Sequence, residues 1–189
     1  LAQSRRLDRI MVAVPDTELD RVLLEHLQRR GVPCLAGSEN DVLARFCLAA
    51  REAEADLVVR VCADNPLIWG EAVDRLLAHY ERTDCDYAYN HIPRNNLWPD
   101  GLGAEVLSRE LLDDLDARAK QPSQREHCLN YIWDNAAQFR ISTFDPEEGW
   151  LRRPDLKLDM DRPEDFRRLA LLPLSPDMDA RAIVNVFSN

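Results

Sequence analysis

The sequence predicts an α/β protein whose mostly parallel sheet is flanked by helices. Strand-like and helix-like segments alternate four times over residues 1–90. The strand-like segments are short and almost wholly apolar, as strands covered on both faces are. This alternation favours parallel strands joined by right-handed helical crossovers.

Two strand–helix units are predicted near the start. Residues 9–14 are short, apolar and followed by Pro15, which predicts a buried strand. Thr17 is the expected cap of the next helix, and Gly31 is expected to end it. Residues 32–36 are the second predicted strand.

The third and fourth strands complete the alternation. Ser38 and Asp41 are candidate caps for the second helix. Residues 57–62 are the most strand-like run in the chain, and a helix is expected at 70–82. Residues 86–90 are the fourth predicted strand.

The pattern becomes less regular after residue 90, where 91–101 form a polar loop. The other predicted elements are strands at 104–107, 139–144 and 156–161, and helices at 108–118, 124–137, from Pro163 onward and at 176–189. A length of 189 residues suffices for one domain with a substantial core, so a single domain over 1–189 is expected.

Composition excludes several classes of protein. The net charge of -10 gives nucleic-acid binding little support, because phosphate binding needs a basic face. No apolar run approaches the roughly 20 residues of a membrane span, and no signal-peptide core is present. The five cysteines include no CxxC pair, which indicates reduced thiols and a cytoplasmic protein.

Asp64 is the first candidate site residue. It stands just beyond the predicted strand 57–62, and ligands of parallel sheets bind beyond the carboxyl ends of the strands. A carboxylate held there, with Pro66 fixing the backbone after it, can bind a hard cation such as Mg²⁺. The alternative is that Asp64 only terminates the strand or caps the next helix.

Asp159 and Asp161 form a second candidate. They lie two residues apart and would share one face of a strand, as in the metal motif of nucleotide-sugar enzymes. The same spacing recurs at Asp177 and Asp179, where only the start of a helix is expected. Asp161 can equally be the cap of the helix that Pro163 opens.

A third group contains Arg125 and His127. Arg125 can clamp a phosphate or carboxylate, and His127 can bind a sugar hydroxyl, although an exposed helical turn explains both residues equally well. The sequence has no GxGxxG or P-loop pattern, no supported Ser-His-Asp or Cys-His arrangement and no zinc cluster.

Six motifs in one order give these fragments a context. They occupy residues 37–45, 60–68, 86–90, 101–106, 125–127 and 161–165. Together they closely resemble the spore-coat polysaccharide biosynthesis type of cytidylyltransferase, a relative of 3-deoxy-manno-octulosonate cytidylyltransferase. The resemblance spans roughly residues 5–172.

The resemblance implies a Rossmann-like nucleotidyltransferase fold of the nucleotide-diphospho-sugar transferase type. It also implies CTP and a sugar as partners, and Mg²⁺-dependent transfer of CMP to a sugar acid or sugar phosphate. Asp64 and Asp161 fall on the family's metal carboxylates, with Arg60 as a further catalytic residue. The residues that would line the sugar and nucleotide pocket are Asn90, Glu105, Arg125 and His127. The strand 139–144 is a candidate homodimer surface.

The chain departs from the family pattern in three places. Family members begin with a strand and a glycine- and basic-rich loop that binds the triphosphate, whereas this chain begins at Leu1, where the segment after that loop would stand. Gly103 replaces a common acidic residue, and Asn65 a common cysteine. The first departure favours an alternative, a non-catalytic nucleotide- or partner-binding relative. The Asp159–Asp161 pair favours another, a nucleotide-sugar-dependent glycosyltransferase.

Overall fold

The alternation of strands and helices is present in the computed structural model, which describes residues 1–175 and 178–187. The strands are β1 (Val12–Pro15), β2 (Cys34–Gly37), β3 (Leu57–Arg60), β4 (Tyr87–Tyr89), β5 (Glu105–Ser108) and β6 (Ile141–Ser142). The helices are α1 (Arg21–Arg29), α2 (Val42–Glu52), α3 (Gly70–Arg82), α4 (Arg109–Arg118), α5 (Pro122–Glu126), α6 (Asn130–Asp134), α7 (Pro163–Leu171) and α8 (Ala180–Phe187).

The chain divides into two compact units. The first contains Leu1–Arg6, Val59–Val106 and the chain from Ile141 on, and the second contains Leu7–Val58 and Leu107–Arg140. Two of the divisions fall inside β3 and β5. The sequence-based prediction of a single domain therefore stays a prediction.

In the second unit, β1 and β2 pair in parallel with Val12 opposite Cys34. Helix α2 begins as predicted, because the Asp41 carboxylate accepts a hydrogen bond from the Ala44 amide at 2.9 Å. The same helix buries Leu43 and Cys47 on one face, as residues four apart do.

In the first unit, β4 pairs in parallel with β6. These strands belong to the larger sheet, whose strand order is β3-β5-β4-β6. Helix α3 buries Ala72, Val73, Leu76 and Leu77, whose spacing places them along one helical stripe. A second apolar cluster is built around Trp98, whose indole N–H donates to the Phe144 carbonyl at 2.8 Å.

Three local predictions were wrong. Thr17 does not cap α1, which begins after Asp20. The segment 139–144 contains only the two-residue strand β6. The segment 156–161 forms only an isolated parallel bridge, Lys157 opposite Asp100. The next amide along that edge, of Met160, donates to Asp64 instead, so no continuous ladder forms.

The predicted helix 124–137 is also interrupted. Helix α5 ends at Glu126 and α6 begins at Asn130. Cys128 and Leu129, between them, are both buried. The backbone of His127 leaves the α-helical region, with φ -94° and ψ 73°, which ends the hydrogen-bond ladder of α5.

Two further expectations concern the whole chain. The predicted helix at 176–189 is present as α8, while residues 176, 177, 188 and 189, including Asp177, lie outside the described residues. In the described part of the chain, no helix combines the length and apolar character that crossing a bilayer requires. The cysteines described there form no disulfide.

Candidate active site

Asp64 lies in a turn just after β3, where the sequence places it. The turn is closed by the Asn65 amide, which donates to the Cys62 carbonyl at 3.2 Å. The Oδ1 atom of Asp64 is buried and has no hydrogen-bond partner. Burial raises the pKa of this carboxyl, and the charges of Asp159 and Asp161 raise it further.

The structure brings the second predicted motif to the first. The Met160 amide donates to the Asp64 carbonyl at 2.8 Å. Asp159 and Asp161 flank Met160, and the charges of both act on the Asp64 carboxyl. Two segments almost a hundred residues apart thus meet at this backbone contact. Metal binding by Asp64 and Asp161 stays a prediction.

A loop carrying Asp100 completes this acidic cluster, which we define as Asp64, Asp100, Asp159 and Asp161. The Leu158 amide donates to the Asp100 carbonyl at 3.0 Å. Gly101 has a φ of +93°, and a Cβ there would lie 2.9 Å from the Asp159 nitrogen. Only glycine tolerates both conditions, so Gly101 permits the close approach of the two segments.

Burial raises the pKa of Asp100 to about 6, and the negative charge of Asp159 adds to that effect. The carboxylates of the cluster therefore repel one another across a partly buried space. One internal cation offsets this repulsion, because the Lys157 ammonium donates to Asp161 and lies 3.4 Å from the Asp159 Oδ2 atom.

The cluster has the donor chemistry of a site for a hard cation. Asp159 is 8% exposed, and its Oδ1 atom, like that of Asp64, is buried without a partner. Carboxylate oxygens accept but cannot donate, so these two atoms lack a cation or a hydrogen-bond donor. Among the described residues, however, no set of three or more Asp, Glu, His or Cys side chains is already arranged around a metal position.

A buried polar network lies in the same unit and centres on Glu105. The Glu105 carboxylate is 3% exposed and accepts hydrogen bonds from the Arg60 guanidinium and the Tyr87 hydroxyl. Burial alone would raise the pKa of Glu105, but His91 and Arg60 hold it below its ordinary value. This network fixes Arg60, the predicted catalytic arginine, at the end of β3.

His91 belongs to this network and was missed by the sequence analysis. Its Nε2 atom lies 3.9 Å from Glu105, and its buried Nδ1 atom has no partner. Burial lowers the pKa of the imidazole. The available signal was its position directly after β4, at the carboxyl end of a strand.

Asn90 is completely buried, and its side-chain amide forms hydrogen bonds with backbone groups. The side chain donates to the Ala72 carbonyl at 3.0 Å and accepts from the Ala104 amide at 2.9 Å. A Cβ on Gly103 would lie 2.6 Å from the carbonyl carbon of Asn90. This contact is a physical reason for glycine at 103. Substrate binding by Asn90 stays a prediction.

Arg125 and His127 lie in the second unit. The Arg125 guanidinium donates to Asp41 at 2.6 Å and to Asp116 at 2.7 Å, which ties α5 to the start of α2 and the end of α4. His127 is exposed at the end of α5. Contact of either residue with a substrate stays a prediction.

Comparison with known proteins decides the family. A family model for cytidylyltransferases matches residues 1–180. The chain belongs to the cytidylyltransferase family. The resemblance carried by the six motifs is thereby confirmed.

Two curated relatives extend this result. An uncharacterized protein of Methanocaldococcus jannaschii is 33% identical to this chain. The match covers 88% of this chain and 66% of the relative. The spore coat polysaccharide biosynthesis protein SpsF of Bacillus subtilis is 27% identical over 96% of the chain and 75% of its own length. The chain therefore spans just under two thirds of the archaeal relative.

Solved structures confirm the predicted nucleotidyltransferase fold. A cytidylyltransferase from Leptospira borgpetersenii superposes with a TM-score of 0.84 at 23% identity, covering 100% of this chain and 82% of its own. A CMP:2-keto-3-deoxy-manno-octonic acid synthetase complexed with CTP superposes with a TM-score of 0.60 at 15% identity. The superposition covers 89% of this chain and 81% of the synthetase.

Proposed function

We propose that this chain, within its natural protein, transfers CMP from CTP to a sugar acid or sugar phosphate for the synthesis of a surface glycan. The observation that carries the proposal is the hydrogen bond from Met160 to Asp64, which joins the two acidic motifs at one point. The cytidylyltransferase family supports a nucleotide substrate, and the relative SpsF supports a role in polysaccharide synthesis.

The reaction breaks the phosphoanhydride between the α- and β-phosphates of CTP. An oxygen of the sugar forms a bond to the α-phosphorus, and the bond from that phosphorus to the bridging oxygen breaks. A hydroxyl of a sugar acid gives up its proton to solvent in this step, whereas a phosphate oxygen of a sugar phosphate is already ionised. Pyrophosphate leaves with the electron pair of the broken bond. Chemistry of this kind depends mainly on positioning and on neutralising the charge of the phosphates.

In this reaction the acidic cluster would neutralise the phosphate charge through a bound metal ion. Asp64 and Asp161 would hold Mg²⁺, which when bound shields the phosphate charge and orients the triphosphate. The fold buries the Oδ1 atom of Asp64. It also fixes the position of the Arg60 guanidinium. Glu105 holds that guanidinium in place through a buried ion pair.

The test is release of pyrophosphate by the natural protein, mixed with CTP, Mg²⁺ and a panel of sugar acids and sugar phosphates. We expect release with at least one sugar. We also expect Asp64→Asn and Asp161→Asn to lower the rate by at least about 100-fold, as loss of a charged group acting at the transition state does. Circular dichroism of both variants should match the parent.

Other outcomes would identify the alternatives. Binding of CTP without pyrophosphate release across the whole panel would indicate a non-catalytic relative. Hydrolysis of a nucleotide sugar without consumption of CTP would indicate a glycosyltransferase. A cytoplasmic location is part of the proposal, since it follows from the reduced cysteines and the expected nucleotide substrate.

A further inference from the structure

We propose that His91 is a positioning residue, which holds the Glu105 carboxylate in the orientation that presents Arg60 to the candidate active site. This inference rests on the proposed function, because it concerns the arginine that acts in that reaction. Two observations carry it: the buried place of His91 beside Glu105, and a ring nitrogen of His91 that the fold leaves without a partner.

The first step is that both the backbone and the ring of His91 are held in place. Its carbonyl accepts a hydrogen bond from the Gly101 amide at 3.0 Å. Its ring meets that of Tyr89 edge-on, with the ring centres 6.0 Å apart and the planes at 75°. The side chain is only 14% exposed, so packing restricts the imidazole to its position beside Glu105.

The second step is the division of the Glu105 carboxylate between its neighbours. The Oε2 atom accepts a hydrogen bond from the Arg60 guanidinium. The Oε1 atom accepts one from the Tyr87 hydroxyl and faces the Nε2 atom of His91 at 3.9 Å. At that distance the contact with His91 is electrostatic rather than a hydrogen bond. Rotation of the carboxylate would lose contacts on both of its oxygens, so the guanidinium stays where Glu105 holds it.

The third step is the charge of the imidazole. Burial lowers the pKa of His91, so the ring is neutral at pH 7. A neutral imidazole can direct an N–H dipole at the Oε1 atom of Glu105. It adds no second full positive charge that would compete with Arg60 for the same carboxylate. His91 therefore supports the pair of Arg60 and Glu105 without weakening it.

The fourth step is the Nδ1 atom of His91, which is buried and has no hydrogen-bond partner. Such an atom costs stability, and an apolar side chain of similar size would fill the position without that cost. A purely structural role therefore leaves the histidine unexplained. The contact of its other ring nitrogen with Glu105 explains it.

The test combines two measurements on the natural protein. The first is the kinetics of pyrophosphate release. His91→Leu should lower kcat by about 10–100-fold, the effect of a misplaced catalytic group, and should leave the KM for CTP within about twofold. His91→Gln keeps an N–H donor on a side chain of similar reach, and its kcat should stay within about threefold of the parent's.

The second measurement is the nuclear magnetic resonance signal of the Arg60 Nε–H group, which is identified by its loss in Arg60→Gln. In His91→Leu this proton should exchange with water faster than in the parent, because the guanidinium is held less firmly. In His91→Gln its exchange rate should stay close to the parent's.

A double variant shows whether His91 acts through Arg60. In the Arg60→Gln background, His91→Leu should lower the rate by no more than about a further twofold, since the two residues act as one unit. The matched control is His79→Leu, because His79 is a partly buried histidine whose ring contacts Ser142 at 2.8 Å. This control should leave both kcat and the Arg60 signal unchanged.

A kcat of His91→Leu equal to the parent's, or a loss that adds fully to that of Arg60→Gln, would overturn the proposal. Should His91→Leu fail to fold, His91→Asn replaces it, because the shorter amide does not reach Glu105 and should give the same loss. The Arg60 signal is read without CTP or sugar. If the protein releases no pyrophosphate, that signal alone decides about His91, so the two proposals are tested separately.

Discussion

Glu105 shows how one residue can connect the fold with the candidate site. Its carboxylate is almost fully buried, yet it stays ionised because Arg60, Tyr87 and His91 surround it. Breaking such a pair leaves a buried charge without its partner, which costs more than the pair contributes to stability. The resemblance pointed to Glu105 and Arg60, but only the structure shows that they bind each other.

The first stability prediction concerns this ion pair. Glu105→Gln should lower the free energy of unfolding at neutral pH by about 3 kcal/mol, the lower part of the range for a broken buried pair, because Arg60 keeps partial exposure. Urea denaturation of the variant and the parent measures the difference. Glu110→Gln, at an exposed position on α4, is the control and should stay within about 0.5 kcal/mol of the parent.

The same variant has a pH dependence of known sign. The pKa of Glu105 in the folded protein lies below its ordinary value of 4.5. A depressed carboxyl pKa stabilises the fold above the unfolded value, and that contribution is lost as the pH falls through the folded pKa. The difference between parent and Glu105→Gln should therefore shrink below pH 4.5. An equal difference at neutral and acidic pH would contradict this account.

At the scale of elements, the loop between β4 and β5 is set by close backbone contact. Asn90 donates to α3 and accepts from the backbone just before β5, so one buried amide holds two connections. Gly103 packs against Asn90 with no room for a side chain. The departure from the family pattern at 103 thus has a local physical reason.

Gly103→Ala should therefore be strongly destabilising. The new Cβ would meet the side chain and backbone of Asn90, and backbone atoms cannot rotate away, so we expect a loss of about 3 kcal/mol or more. Gly149→Ala is the matched control, because nothing lies within 4 Å of its Cβ position. Thermal or urea unfolding compares the two, and equal stability of both variants would disprove the contact.

At the scale of the whole molecule, the question is whether the two compact units unfold together. Divisions between them fall inside β3 and β5, so unfolding one unit would disrupt strands that continue into the other. We expect one cooperative transition, as for a single domain. Hydrogen exchange in urea should give one midpoint for peptides from β4 and from α2. Two separate midpoints would show two domains.

Much of this protein could be predicted from local sequence. The four early strands, the Asp41 cap of α2 and the Pro163 start of α7 follow from residue patterns that act within a few positions. Asp64 followed from the rule that sites lie beyond the ends of parallel strands. These features need no knowledge of distant contacts.

The tertiary structure decided what depends on distant segments. The segment 156–161 alternates like a strand, yet it forms only one isolated bridge, to Asp100, before its Met160 amide turns to Asp64. His91 carried no motif, and its role became visible only beside Glu105. The sequence by itself determined the α/β class and the family, and it singled out Asp64, Asp159 and Asp161 as candidate site residues. Only the folded chain decided that Asp159 is the buried member of the pair, because burial depends on contacts between segments far apart in the sequence.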